Sequence, residues 1–118
     1  MIHLTVYYVN TIIAVVVEYK IEKYNEGEYS NGVKWGSIPT SATKTKRNGG
    51  HTWFPDSWDD DKIITEMYKV KNGKGKIIGE DMYDVDGVAV VYKTYGNGES
   101  FYPAKNQKEY IKGVVVND

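Results

Sequence analysis

Proton transfer near neutral pH, neutralisation of an anion and hydrogen bonding through hydroxyls are the chemistries that this chain of 118 residues makes available. His51 supplies the first, because an imidazole with an unperturbed pKa of about 6.5 can give or take a proton there. Lys44, Lys46 and Arg47 concentrate positive charge a few residues earlier. Ser100 and Tyr102 supply hydroxyls, and they follow a Gly96-Asn97-Gly98 turn in the string Glu99-Ser100-Phe101-Tyr102-Pro103-Ala104. Residue type alone leaves a plainer reading open for each. A histidine just after Gly49-Gly50 can sit on an exposed loop bonded to a backbone carbonyl. His3 reads as structural or solvent-facing, and a basic run is often only a solvated loop.

Other chemistries are excluded or left unassigned. There is no cysteine, which rules out disulfides, thiolate zinc sites and thiol nucleophiles. With two histidines a histidine-rich metal site is not expected. Asp59, Asp60 and Asp61 fall in the first turn of a predicted helix, where the helix dipole already accounts for them. Asp84-Val85-Asp86-Gly87 lacks the remaining ligands of a calcium loop and reads as the turn before a strand. No metal is therefore assigned. With 15 basic and 16 acidic side chains the formal charge is −1, so a polyanion would have to be held by a local patch.

The elements that must position these residues are legible in part. Residues 2–17 are rich in β-branched side chains, and Asn10-Thr11 divides them, which predicts two strands joined by a tight turn. Beyond Val17 the pattern alternates, with Glu18, Lys20 and Glu22 on one face and Val17, Tyr19 and Ile21 on the other. The apolar N-terminal run is interrupted by polar residues and falls short of the roughly 20 residues that span a bilayer, so neither a signal nor a membrane segment is expected in it. Residues 25–56 read as a long basic loop, with a short strand near Val33 to Trp35. A helix is predicted over 57–71, capped by Ser57, with Ile63, Ile64, Met67, Tyr68 and Val70 at helical spacing and Asn72-Gly73 as its stop. Strands follow at Lys76 to Gly79 and Gly87 to Tyr95, and the second forms a hairpin with Glu99 to Tyr102. Val114-Val115-Val116 adds a short strand.

The length suits one domain spanning 1–118. It divides into an N-terminal hairpin at 2–24, the basic loop at 25–56, the helix at 57–71 and antiparallel strands over 76–116. The fold class is α+β: an antiparallel sheet with one main helix packed against a face.

Two strings carry a family resemblance. His51-Thr52-Trp53-Phe54-Pro55-Asp56-Ser57-Trp58, with the helix Ile63-Ile64-Thr65-Glu66-Met67 behind it, resembles the phenylalanine-proline-tryptophan segment and helix of bacterial EndoU nuclease domains. Gly98-Glu99-Ser100-Phe101-Tyr102-Pro103 is similar to the Ser/Thr-x-Tyr-Pro signature that closes that family, which includes the coronavirus uridylate-specific endoribonuclease. The order and separation of the two strings agree, and the resemblance covers roughly residues 44 to 106.

The resemblance implies a metal-independent or manganese-stimulated ribonuclease with no resident cofactor, cutting near uridines and leaving a 2′,3′-cyclic phosphate. It implies RNA as substrate, with tRNA among the candidates, and a cognate immunity protein as partner where the domain is a toxin. Such a toxin acts in the cytoplasm after delivery as part of a longer secreted chain. Tyr102 matches the signature tyrosine that holds the nucleoside, Ser100 the hydroxyl two residues earlier, and Thr52 falls near a hydroxyl linked to uracil recognition. Lys46 is the choice for the family's phosphate lysine, with Lys44 and Arg47 beside it. The family's two histidines lie upstream of that lysine, and here only His3 does. His51 is thus a candidate acid or base by its chemistry and not by correspondence. The alternative is a catalytically silent module that binds RNA or protein, or a toxin-neutralising partner.

Overall fold

A computed structural model describes residues 3–9, 12–18, 24–39, 47–96 and 98–117, with side chains over 27–36, 51–96 and 98–117. The β-branched N-terminus forms β1 (His3–Val9) and β2 (Ile12–Glu18), paired antiparallel from Val9↔Ile12 to His3↔Glu18. The expected alternation at residues 19–22 lies outside the described residues.

The stretch expected to be a loop is instead a second sheet. β3 (Tyr24–Glu28), β4 (Lys34–Pro39) and β5 (Arg47–Trp53) form an antiparallel meander in the order β3-β4-β5. The short strand expected near Val33 to Trp35 is its middle member. Glycine, asparagine and lysine disguise these strands, and irregular register breaks their periodicity: bulges fall between Asn25 and Gly27 and between Gly36 and Ser37.

α1 runs Asp60–Lys71, three residues inside the predicted start. Asp59, not Ser57, is its cap: the Asp59 carboxylate accepts the Lys62 N–H at 2.8 Å, while Asp60 and Asp61 remain in the first turn beside the positive end of the dipole. Ser57 instead lies in the turn where the Trp58 N–H bonds the Pro55 carbonyl at 2.9 Å. The stop is as expected, with Asn72 as C-cap and Gly73 at φ 78°.

The second half is an antiparallel meander of β6 (Lys76–Gly79), β7 (Met82–Val85), β8 (Val88–Tyr95) and β9 (Gly98–Pro103). The N-terminal hairpin adds to its far side, giving a six-stranded sheet in the order β2-β1-β9-β8-β7-β6. β7 was not expected, since four residues are too few to show a period. The Asp86-Gly87 pair that joins it to β8 is a two-residue hairpin turn with φ of 49° and 79°, and Asp84 accepts the Gly87 N–H at 3.0 Å. Val114–Val116 contributes a single bridge, Tyr29↔Val116.

Both faces of β8 are covered over its first half, so Val88 to Val91 are all buried. On one face Ile63, Met67 and Val70 of α1 join Val88, Val90 and Phe101, with Phe54, Trp58 and Val33 completing the cluster. On the other, Ala89, Val91 and Ala104 meet Met82, Tyr102 and Ile111. Past Pro103 the short helix α2 (Gln107–Tyr110) takes over pairing with β8. Gln107 is fully buried, accepts the Ala89 N–H at 2.8 Å and donates to the carbonyls of Ala89 and Ala104 at 2.8 and 2.7 Å. Its amide stands in for the strand that β9 does not continue. Gln107→Leu keeps the bulk but leaves Ala89 N–H buried and unpaired, which predicts a loss of about 1–3 kcal/mol, read from the urea midpoint.

Candidate functional site

The two strings that carry the sequence resemblance meet. Thr52 near the end of β5 is 5 % exposed and its hydroxyl donates to the Pro103 carbonyl of β9 at 2.6 Å. Directly after it, the Phe54 ring lies 5.4 Å from Phe101 and stacks on Trp58 at 5.2 Å, 14° from parallel. The sheets are therefore joined at one point by a buried hydrogen bond and a row of three aromatic rings. His51 and Tyr102 are each one residue from that bond, and both are half-buried.

Alternation along β9 sorts its side chains. Glu99, Phe101 and Pro103 are buried, whereas Ser100 and Tyr102 are half-buried. Tyr102 belongs with Val91, Ala89, Ala104 and Ile111 on the face away from α1. Ser100 stands between Thr5 of β1 and Lys93 of β8 in the register. The His51 ring is 6.4 Å from Trp53, its neighbour on the same side of β5. Thr52, a candidate for substrate binding, is buried, and its hydroxyl proton is given to Pro103.

The basic cluster is described only at its end. Arg47 opens β5 opposite Pro39, while Lys44 and Lys46 lie outside the described residues. His3 reads from the sequence as structural or solvent-facing. It precedes Leu4, which pairs with Phe101, so the β1–β9 register brings its backbone to the Tyr102 end of β9. No local signal could have shown this, because it depends on a pairing between strands some ninety residues apart.

A buried ion pair fixes the opposite end of β9. Glu99 is 2 % exposed, its Oε1 lies 3.1 Å from Lys71 Nζ at the end of α1, and its Oε2 has no partner. Burial holds the Glu99 carboxyl above its ordinary value and pushes the Lys71 ammonium below its own. Among the described residues no cluster of histidine and carboxylates could hold a metal ion. No helix there is long and apolar enough to cross a membrane.

A family model described as bacterial EndoU nuclease matches residues 3–105, which includes both strings and every residue discussed at the β5–β9 junction. The chain belongs to the bacterial EndoU nuclease family. Neither a curated protein nor a solved structure gives a match to it. The EndoU match begins in β1 and ends just beyond β9, so it takes in both sheets and α1.

Proposed function

We propose that this EndoU domain is an endoribonuclease of toxin type, which cuts RNA by attack of the 2′-hydroxyl on the adjacent phosphorus. The 5′-oxygen leaves, and the product ends in a 2′,3′-cyclic phosphate. The observation that carries the reading is the junction itself, where Thr52 and Pro103 bind the two family strings together with His51 and Tyr102 at its margins.

In this reading Tyr102 stacks on and orients the nucleoside, with Ser100 as a hydroxyl partner. Lys46, assisted by Lys44 and Arg47, neutralises charge growing on the phosphorane oxygens. His51 exchanges one of the two protons, either taking that of the 2′-hydroxyl or supplying that of the departing 5′-oxygen. The remaining imidazole is His3, which we assign to the other proton because its strand position lies at the Tyr102 end of β9. Thr52 acts by holding β5 on β9. A cognate immunity protein that covers the junction is the expected partner of a toxin of this kind.

The decisive experiment incubates the protein with a fluorescent uridine-containing RNA in EDTA and again with manganese. Cleavage to a cyclic phosphate is expected. A second reading, a silent binding module, is favoured by the histidine pattern, with only His3 ahead of the basic cluster. A folded protein that binds RNA or an immunity partner but yields no cyclic phosphate under either condition would establish that reading and overturn the first.

A further inference from the structure

We propose that the RNA track continues past Tyr102 along β8, where Lys93 holds a second phosphate and Tyr95 stacks an unpaired base. The proposal rests on the ribonuclease reading above and names the kind of RNA that reading leaves open: a single strand several nucleotides long.

The β8–β9 register is Val91↔Tyr102, Lys93↔Ser100 and Tyr95↔Gly98. Residues directly opposite in an antiparallel pair share a face. Lys93 and Tyr95 therefore stand on the same face as Ser100 and Tyr102. Successive rows on that face are about 7 Å apart, two residues of strand rise, a stride close to that between neighbouring nucleotides of an extended strand.

The exposure of these residues has a topological cause. Met82↔Val91 is the first pair of the β7–β8 ladder, so β8 outruns β7 beyond Val91 and is held there mainly by β9. Val88 to Val91 are buried, whereas Lys93, Thr94 and Tyr95 are exposed. Tyr95 is 57 % exposed and belongs to neither apolar cluster, so packing does not account for an aromatic there. Opposite it stands glycine, which has no side chain to cover the ring. Among the described residues no carboxylate pairs with Lys93, and Glu99, the nearest acid on β9, points to the opposite face towards Lys71. An unpaired cation between two tyrosines suits an alternation of phosphate and base. A ring offers one face to any base, which requires that base to be unstacked and single-stranded.

The test measures fluorescence anisotropy of two labelled oligonucleotides, a uridine dinucleotide and a uridine tetranucleotide, each with 2′-deoxyuridine at the reactive position to prevent cleavage. The protein is compared with Tyr95→Ala, Tyr95→Trp and Lys93→Gln, all checked for fold by circular dichroism. Tyr95→Ala is expected to weaken tetranucleotide binding about tenfold and to leave the dinucleotide unchanged. Tyr95→Trp retains the affinity, and Lys93→Gln lowers the slope of log affinity on log salt by about 0.7. Tetranucleotide binding by the unaltered protein with no loss in Tyr95→Ala overturns this inference and leaves the ribonuclease reading intact. Binding of neither oligonucleotide, with no cleavage of RNA, overturns both.

Discussion

Replacing His51 with alanine is expected to slow RNA cleavage by about 10²–10⁴-fold, the range that a positioned acid or base supplies. The protein should remain folded, since His51 is half-buried, lies outside both apolar clusters and sits in a strand whose ladder uses backbone groups. On the proposed mechanism Tyr102→Ala removes the nucleoside platform and should raise KM as well as lower kcat, whereas His51→Ala should act mainly on kcat. The pH profile separates them further. If His51 and His3 exchange the two protons, kcat/KM follows a bell in the unaltered protein, and each histidine variant loses one limb. A His51→Ala protein that keeps full activity and both limbs would remove His51 from the mechanism. Thr52→Val offers a contrast: it leaves Pro103 without its donor, and its effect should be on stability and on site geometry together.

The divide between what the sequence disclosed and what it hid follows the physics of each signal. The helix was legible because Ile63, Met67 and Val70 recur at its period and are buried against β8. Its start was misplaced because Ser57 and Asp59 are both good caps, and only the Pro55–Trp58 turn shows that the chain is not yet helical at Ser57. The pairing of β1 with β2 was legible from two β-branched runs divided by a polar pair, and that of β8 with β9 from the Gly-Asn-Gly turn signal between them. Of the second sheet only the start of β4 was legible, because the bulges between Asn25 and Gly27 and between Gly36 and Ser37 break the period of two by which a strand is recognised. Tyr102 and Ser100 stand out as candidates in a short string, but that string says nothing about Lys93 and Tyr95, which share their face through cross-strand pairing. The same limit hid the approach of β1, and with it the position of His3.

Lys71→Met is expected to destabilise the fold by about 3–5 kcal/mol near neutral pH, because it strips the partner from a carboxylate that is 2 % exposed. The sign of the pH dependence follows from Glu99. Its folded pKa is raised by burial, so the folded state binds its proton more tightly than the unfolded chain does. The resulting stabilisation is present in acid and is lost as pH rises from the ordinary carboxylate range through the raised value. Lys71→Met should therefore cost least in acid, where Glu99 is neutral, and most above the raised pKa. Urea midpoints on either side of that range measure the difference, and an equal loss at both would exclude a buried charge as its cause. The double variant Glu99→Gln with Lys71→Met should regain most of the lost stability, since it removes the charge along with its partner. What it would not regain is the alignment that the pair imposes. A slip of β9 by one residue would move Glu99 off Lys71 and carry Ser100 and Tyr102 to the α1 face. Phe101 would leave the apolar cluster in the same slip, so the pair adds to a penalty that the core also imposes. The double variant should accordingly come close to the stability of the unaltered protein, with at most a small loss of amide exchange protection in β9 and, on the proposed mechanism, of RNA cleavage.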